Sequence, residues 1–154
     1  MARTNRSRGQ RWILSGGGIL LLALASWMAI SQYVQGGFDR DQTINSQIAF
    51  EEATGVRLVF IAVAAGGGMI NLRYQVLDPD KAVIVHDDDN PPTIIDEASG
   101  IALSRPWMDH DHTDELHIGV TYNDLLMNSG GFVKHGSLVT VVIGDARLEH
   151  VTVY

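Results

Sequence analysis

Apolar residues are distributed along this chain as one long uninterrupted run followed by a series of short runs. The long run, Trp12–Val34, contains no charged residue. A helix of about 20 apolar residues crosses the hydrocarbon core of a bilayer, so the run predicts a transmembrane helix. Four arginines precede the run, and every acidic residue follows it. Because basic residues beside an apolar span stay in the cytoplasm, the remainder of the chain is expected outside it.

The leader has two interpretations, an anchor that is retained and a signal peptide that is cleaved. Ala23-Leu24-Ala25 before Ser26 is typical of a cleavage site with small residues. The apolar run continues beyond this point, with Trp27 and Tyr33 near its end, and this favours the anchor. The sequence therefore predicts a single-pass protein of the cell membrane with an extracytoplasmic C-terminal domain. Its predicted parts are a cytoplasmic basic tail (1–11), a transmembrane anchor or uncleaved signal (12–34), a juxtamembrane spacer (35–54) and the C-terminal domain (55–154).

Short β-rich runs separated by turn residues follow the spacer. Val56–Ala64 is apolar on both faces, which is typical of a strand inside a sandwich. Met69–Leu77 alternates between apolar and polar residues and predicts a half-buried strand. Gly66-Gly67-Gly68 between the two runs predicts a hairpin.

Further strands are predicted at Thr93–Asp96, Ile101–Ser104, Leu116–Tyr122, Leu138–Ile143 and Arg147–Tyr154. Asn123–Gly131 is interpreted as a connection. Lys81–Val85 fits either a short helix capped by Asp78 or a strand. About seven short strands in a domain of about one hundred residues predict an all-β, Ig-like antiparallel β-sandwich preceded by one N-terminal transmembrane helix.

The turn Lys134–Ser137, followed by the apolar run Leu138–Val142, resembles a turn-and-strand feature of cupredoxin-like domains. This resemblance implies a cupredoxin-like variant of the same β-sandwich. A blue-copper site requires a cysteine thiolate, and the chain contains no cysteine. The resemblance therefore implies the fold without an electron-transfer copper centre.

The charge of the chain limits its partners. From Gln35 onward there are seven Lys and Arg against eighteen Asp and Glu, a formal charge of −11. Such a surface repels nucleic acid and anionic lipid, and it fits an affinity for cations or simple solubility. The absence of cysteine also excludes disulfide bonds, thiolate metal sites and a cysteine nucleophile.

The densest set of potential metal ligands is Met108-Asp109-His110-Asp111-His112. In an extended segment Met108, His110 and His112 point to the same side. Imidazole nitrogens suit zinc and copper, and a thioether adds a preference for Cu(I). The sequence therefore predicts a metal site of Met108, His110, His112 and His117, with copper as the metal and zinc as the alternative. A solvated turn in an acidic protein explains the same composition.

Other polar clusters are interpreted more simply. His86-Asp87-Asp88-Asp89-Asn90 has oxygen ligands for Ca²⁺ or Mn²⁺, but it lacks the EF-hand spacing, which favours a solvated acidic turn. His150, beside Glu149, is expected to be a structural histidine with a partner. His135 is expected to lie in a turn and face water.

The sequence contains no Gly-x-Ser-x-Gly, His-Glu-x-x-His or phosphate-loop motif, so we do not expect an enzyme. The first functional hypothesis is a membrane-anchored metal-binding domain that handles copper or delivers it to a membrane-protein client. The second is an interaction module or accessory subunit of a membrane complex that binds no metal. In the second hypothesis Trp107, Leu125, Leu126 and Met127 supply the contact surface.

Overall fold

The computed structural model describes residues 24–28, 42–104 and 115–154. The chain divides into two compact units, Met1–Ile44 and Asn45–Tyr154. In the first unit, residues 24–28 are helical, and the side chains of Trp27 and Met28 are exposed. The rest of the predicted span Trp12–Val34 lies outside the described residues. Within the described ranges, no helix has both the length and the apolar character needed to cross a membrane.

The described residues of the second unit form seven strands in two antiparallel sheets, which confirms the all-β prediction. The strands are β1 (Val56–Ala64), β2 (Met69–Val76), β3 (Thr93–Asp96), β4 (Ala102–Leu103), β5 (Thr121–Met127), β6 (Leu138–Ile143) and β7 (Ala146–Thr152). Sheet A has the order β1-β2-β5, and sheet B has the order β4-β3-β6-β7. Apolar side chains from both sheets belong to one buried core, as expected of a β-sandwich-like arrangement.

The alternation predicted for β2 is confirmed. Ile70, Leu72, Tyr74 and Val76 are each at most 1% exposed, whereas the residues between them are partly exposed. The predicted hairpin is also confirmed, because β1 pairs with β2 through a 3-10 turn at Ala65–Gly67. Since successive side chains of a strand point to opposite faces, the alternating burial of β2 shows that one face of sheet A packs on the core.

The interior position predicted for β1 is wrong. β1 is the outer strand of sheet A, and Val59 on it is 47% exposed. Phe60 on β1 is not part of the core. The guanidinium of Arg73 covers its ring instead, at 4.7 Å from the ring centroid. On the edge of β1 that faces away from β2, the Tyr154 amide donates a hydrogen bond to the Ile61 carbonyl at 2.9 Å.

The strand predicted at Leu116–Tyr122 is displaced in the structure. The chain turns at Gly119, whose φ of +78° is incompatible with a strand. β5 begins only at Thr121 and continues to Met127, so the interpretation of 123–131 as a connection is wrong for its first half. Leu125 and Met127 therefore belong to a strand of sheet A.

The choice left open at Lys81–Val85 is resolved as helical. Helix α2 (Pro79–Ala82) begins after Asp78, whose carboxylate accepts hydrogen bonds from the amides of Asp80 and Lys81. A 3-10 turn at Val83–His86 continues it. Proline at the first helical position has no amide hydrogen to leave unpaired, and the aspartate satisfies two of the remaining donors.

Helix α1 covers residues 42–54 and includes the helical turn expected near Ile48–Ala53. Its C-terminal half contributes to the core, since Phe50 is 2% exposed and Thr54 is fully buried. The Thr54 hydroxyl donates to the Phe50 carbonyl at 2.7 Å, which satisfies this buried polar group. The helix ends at Gly55, whose amide donates to the Glu51 carbonyl at 2.9 Å.

Candidate functional site

Three of the four predicted metal ligands, Met108, His110 and His112, lie in the segment 105–114, outside the described residues. The fourth, His117, is described. The chain leaves sheet B at β4 before this segment and enters sheet A at β5 after it. The segment is thus the connection between the two sheets.

The backbone of His117 is held by the domain, whereas its side chain faces solvent. Its amide donates to the Tyr122 hydroxyl at 3.0 Å, and its carbonyl accepts from the Val120 amide at 3.1 Å. The preceding residue, Leu116, is 9% exposed and belongs to the core. The imidazole of His117 is therefore available to a ligand from a fixed backbone position.

Two stacked tyrosines support this position. The rings of Tyr122 and Tyr74 lie 6.1 Å apart with an interplanar angle of 22°. Tyr74 is 1% exposed, and burial, followed by the nearby charges of Asp124 and Tyr122, raises the pKa of its hydroxyl. Within the described part of the chain, this hydroxyl has no hydrogen-bond partner. Tyr122 thus links the exposed residue His117 to the buried interior of sheet A.

Residues 24–28, 42–104 and 115–154 contain no group of three or more His, Cys, Asp or Glu residues placed to hold a metal ion. The acidic turn at 87–90 is exposed, in keeping with the solvated turn that we favoured. Its Asp87 carboxylate accepts a hydrogen bond from the Asp89 amide at 3.1 Å, as is common in turns.

His150 is a structural histidine with a partner, as the sequence predicts, and the partner is Glu97. Its ring Nδ1 lies 2.9 Å from Glu97 Oε2, and its amide donates to Glu97 Oε1 at 2.8 Å. The Thr140 hydroxyl donates to the same oxygen at 3.0 Å. His150 has a φ of +60°, at a point where the register of β6 and β7 shifts. Glu97 therefore holds a bulge that lies 53 positions away in the sequence.

Hydrogen bonding to Glu97 also changes the protonation of both groups. The side-chain hydrogen bond, and then the negative charge of Glu97, raise the pKa of His150. Burial opposes ionisation of Glu97, but hydrogen bonds from the backbone and ring of His150 and from Thr140 outweigh it and lower the pKa of Glu97. The two groups therefore favour the charged pair.

Sequence reasoning missed a cleft of about 520 Å³ that is lined by residues from 63–68 and 128–135; we call it the glycine cleft. Among the described residues that line it, five are glycines and none is acidic. Lys134 and His135 supply its basic side chains, and both are exposed. His135 lies in a turn and faces water, as expected. In the sequence, the glycine runs 66–68 and 130–131 are the signal that could have indicated this cleft. The sequence does not show that the two runs lie close together, because that depends on the pairing of β2 with β5.

Asn128 ties together the connections that form the glycine cleft. Its side chain is buried, and its Nδ2 donates to the carbonyls of Gly67 and Val133, both at 2.8 Å. Its Oδ1 accepts from the Val133 amide at 3.3 Å. Its own amide donates to the Gly68 carbonyl at 2.9 Å, so both sides of the cleft are fixed to this one residue.

The chain was compared with protein-family models, with curated proteins and with solved structures. None of the three comparisons finds a match.

Proposed function

We propose that this chain is a membrane-anchored, extracytoplasmic domain that binds copper without catalysing a reaction and delivers the metal to a membrane-protein client. The ligands in this proposal are Met108, His110, His112 and His117. The observation that carries it is the Met-x-His-x-His pattern in the connection between the two sheets, with His117 exposed just beyond it.

The residues directly after the segment 105–114 support a metal site whose position is fixed by the domain. Binding residues are often found on loops held by a rigid scaffold. Leu116 lies in the core, and the Tyr122 hydroxyl fixes the backbone of His117. One imidazole is therefore presented next to the segment that contains the other three ligands. Two or three imidazoles with a thioether suit Cu(I), and without the thioether they suit zinc.

The location and the finer fold class are part of the same proposal. The apolar run Trp12–Val34 after four arginines supports a single-pass anchor with the C-terminal domain outside the cytoplasm. An Ig-like or cupredoxin-like sandwich is supported by the three-plus-four arrangement of antiparallel strands. The formal charge of −11 after Gln35 supports attraction of cations to this domain.

A copper titration of the whole chain tests the proposal, with zinc titrated in parallel. We expect one tightly bound metal ion per chain, with binding lost in the variant His110→Ala/His112→Ala, because two imidazoles then leave the site. The matched control is His86→Ala/His135→Ala, which removes the same number of imidazoles from other parts of the domain. Unchanged stoichiometry in His110→Ala/His112→Ala, or equal loss in both variants, would reject the assignment.

The second hypothesis, an interaction module in a membrane complex, is supported by the outer face of sheet A. Leu125 and Met127 are partly exposed there, across from Asn71 and Met69 of β2. Leu126 does not belong to this surface, because it is 2% exposed and lies in the core. Gentle solubilisation followed by sizing tests the hypothesis, and a lone monomer would contradict it.

A further inference from the structure

The backbone of the glycine cleft is accessible at three positions. Gly66, Gly67 and Gly131 have φ values of +65°, +98° and +62°. A Cβ atom added at any of them would meet nothing within 4 Å. Their conformation favours glycine, and the space beside them is open. A ligand can therefore approach the main chain directly, which a side chain at these positions would prevent.

The cleft also carries unused hydrogen-bond donors. Within the described residues, the amides of Gly130 and His135 have no acceptor. Lys134 and His135 both line the cleft, and both are exposed. Backbone amides without a protein acceptor can donate charge-assisted hydrogen bonds to an anion that reaches the main chain. These donors therefore suit an acceptor-rich, negatively charged group.

Lys134 differs from the other described cations near sheet A. Arg57 pairs with Glu51 at 2.9 Å, and the ammonium of Lys81 donates to the Glu52 carbonyl at 2.7 Å. Arg73 lies over Phe60. Within the described ranges, Lys134 makes no comparable contact, and no carboxylate lines the cleft beside it. The chain after Gln35 has a formal charge of −11, whereas the described lining of the cleft carries the positive charge of Lys134.

We propose that the glycine cleft binds an oxyanion, namely the phosphate or carboxylate group of a small ligand. Lys134 supplies the charge, the amides of Gly130 and His135 supply directed hydrogen bonds, and Asn128 keeps the two connections in place. The cleft volume lies within the range of small-molecule sites, about 300 to 1,000 Å³. None of the described residues that line the cleft is a proposed copper ligand.

Titration of the metal-free whole chain with inorganic phosphate, and separately with acetate, tests this proposal. Backbone amide signals are followed by NMR, with chloride at equal ionic strength as the reference. We expect saturable shifts of the Gly130 and His135 amide signals with at least one of the two anions. Absence of saturation with both, or shifts spread evenly over the domain, would overturn the proposal.

Two pairs of variants separate a built site from general charge attraction. Lys134→Gln should weaken binding about tenfold, because a charge-assisted hydrogen bond is lost. Arg147→Gln removes the same charge from exposed β7 and should leave binding unchanged. Equal weakening by both would overturn the proposal.

The second pair tests the space in the cleft. Gly131→Asn should abolish binding, since asparagine tolerates a positive φ and its side chain fills the open space. The control is Gly100→Asn, at a φ of +72° with equally open surroundings but outside the cleft. It should bind as the original chain does. Thermal unfolding checks that both variants are folded, and undiminished binding by a folded Gly131→Asn would contradict the proposed position.

Discussion

Gly55 and Gly131 have similar backbone conformations, with φ values of +71° and +62°, but very different surroundings. A Cβ at Gly55 would lie 2.6 Å from the Asp78 carbonyl oxygen and 2.7 Å from the Cβ of Lys81. A Cβ at Gly131 would meet nothing within 4 Å. Gly55 is thus required both by conformation and by packing, whereas Gly131 is required by conformation alone.

This difference separates a structural glycine from one that leaves a surface open. Gly55 ends α1 and brings its C-terminus against the start of α2, where the Gly55 carbonyl accepts from the amides of Leu77 and Asp78 at 2.8 and 3.0 Å. Gly131 lies on a wall of the glycine cleft, and no part of the described chain fills the space beside it. The open space beside Gly131 can hold a ligand, whereas the contact between α1 and α2 fills the space beside Gly55.

The largest expected effect is that of Gly55→Ala. Alanine at a positive φ costs about 1 to 2 kcal/mol, and forcing an extra methyl group into a packed site costs about 1 to 3 kcal/mol more. We therefore expect the free energy of unfolding, measured by urea denaturation, to fall by about 2 to 5 kcal/mol. A loss below about 1 kcal/mol would mean that α1 and α2 separate easily, and that the contact at Gly55 is unimportant for the fold.

Gly131→Ala is the matched substitution and should have a smaller effect. The conformational term is similar, but the packing term is absent, so we expect a loss of about 1 kcal/mol in the free energy of unfolding. The measurement is the same urea denaturation, and the difference between the two variants isolates the packing of Gly55. Equal losses in both would contradict the distinction drawn between the two glycines.

The sequence predicted those elements that depend on local pattern. The alternation from Ile70 to Val76 places β2 and its buried face, and Asp78-Pro79 predicts the start of α2 as one of two alternatives. The pattern at Leu116–Tyr122 was misleading, because its apolar alternation contains Gly119, which turns the chain through a positive φ before β5 begins.

The sites depend on long-range contacts, and a single sequence does not contain that information. Glu97 reaches His150 across 53 positions, so the sequence predicts that His150 has a partner but not which residue it is. The Asn128 amide group reaches the Gly67 carbonyl across 61 positions, and this contact makes two glycine runs into one cleft. The proposed ligands Met108, His110 and His112 stay a prediction from their spacing.

His150 extends the comparison to a positive-φ residue that is not glycine, and here we expect the smallest effect. Its φ of +60° is held by Glu97, which binds both its amide and its ring. Because the pKa of His150 is raised above 6.5, its stabilising contribution is complete below that pH and is lost as the pH rises through the higher folded value. Because the pKa of Glu97 is lowered below 4.5, its contribution is present above that pH and is lost as the pH falls through the lower folded value.

The bulge should therefore be most stable between about pH 4.5 and 6.5, where both groups are charged. Glu97→Gln should flatten the pH dependence of the unfolding midpoint in this range, and raised salt should weaken it in the original chain, because the imidazole is exposed. Asp145→Asn, in the β6–β7 turn, removes one negative charge without touching His150 and is the control. If both variants flatten the profile equally, general charge rather than the pair with Glu97 governs this part of sheet B. In that case the hydrogen bond from the His150 amide to Glu97 would be what holds the unusual backbone conformation.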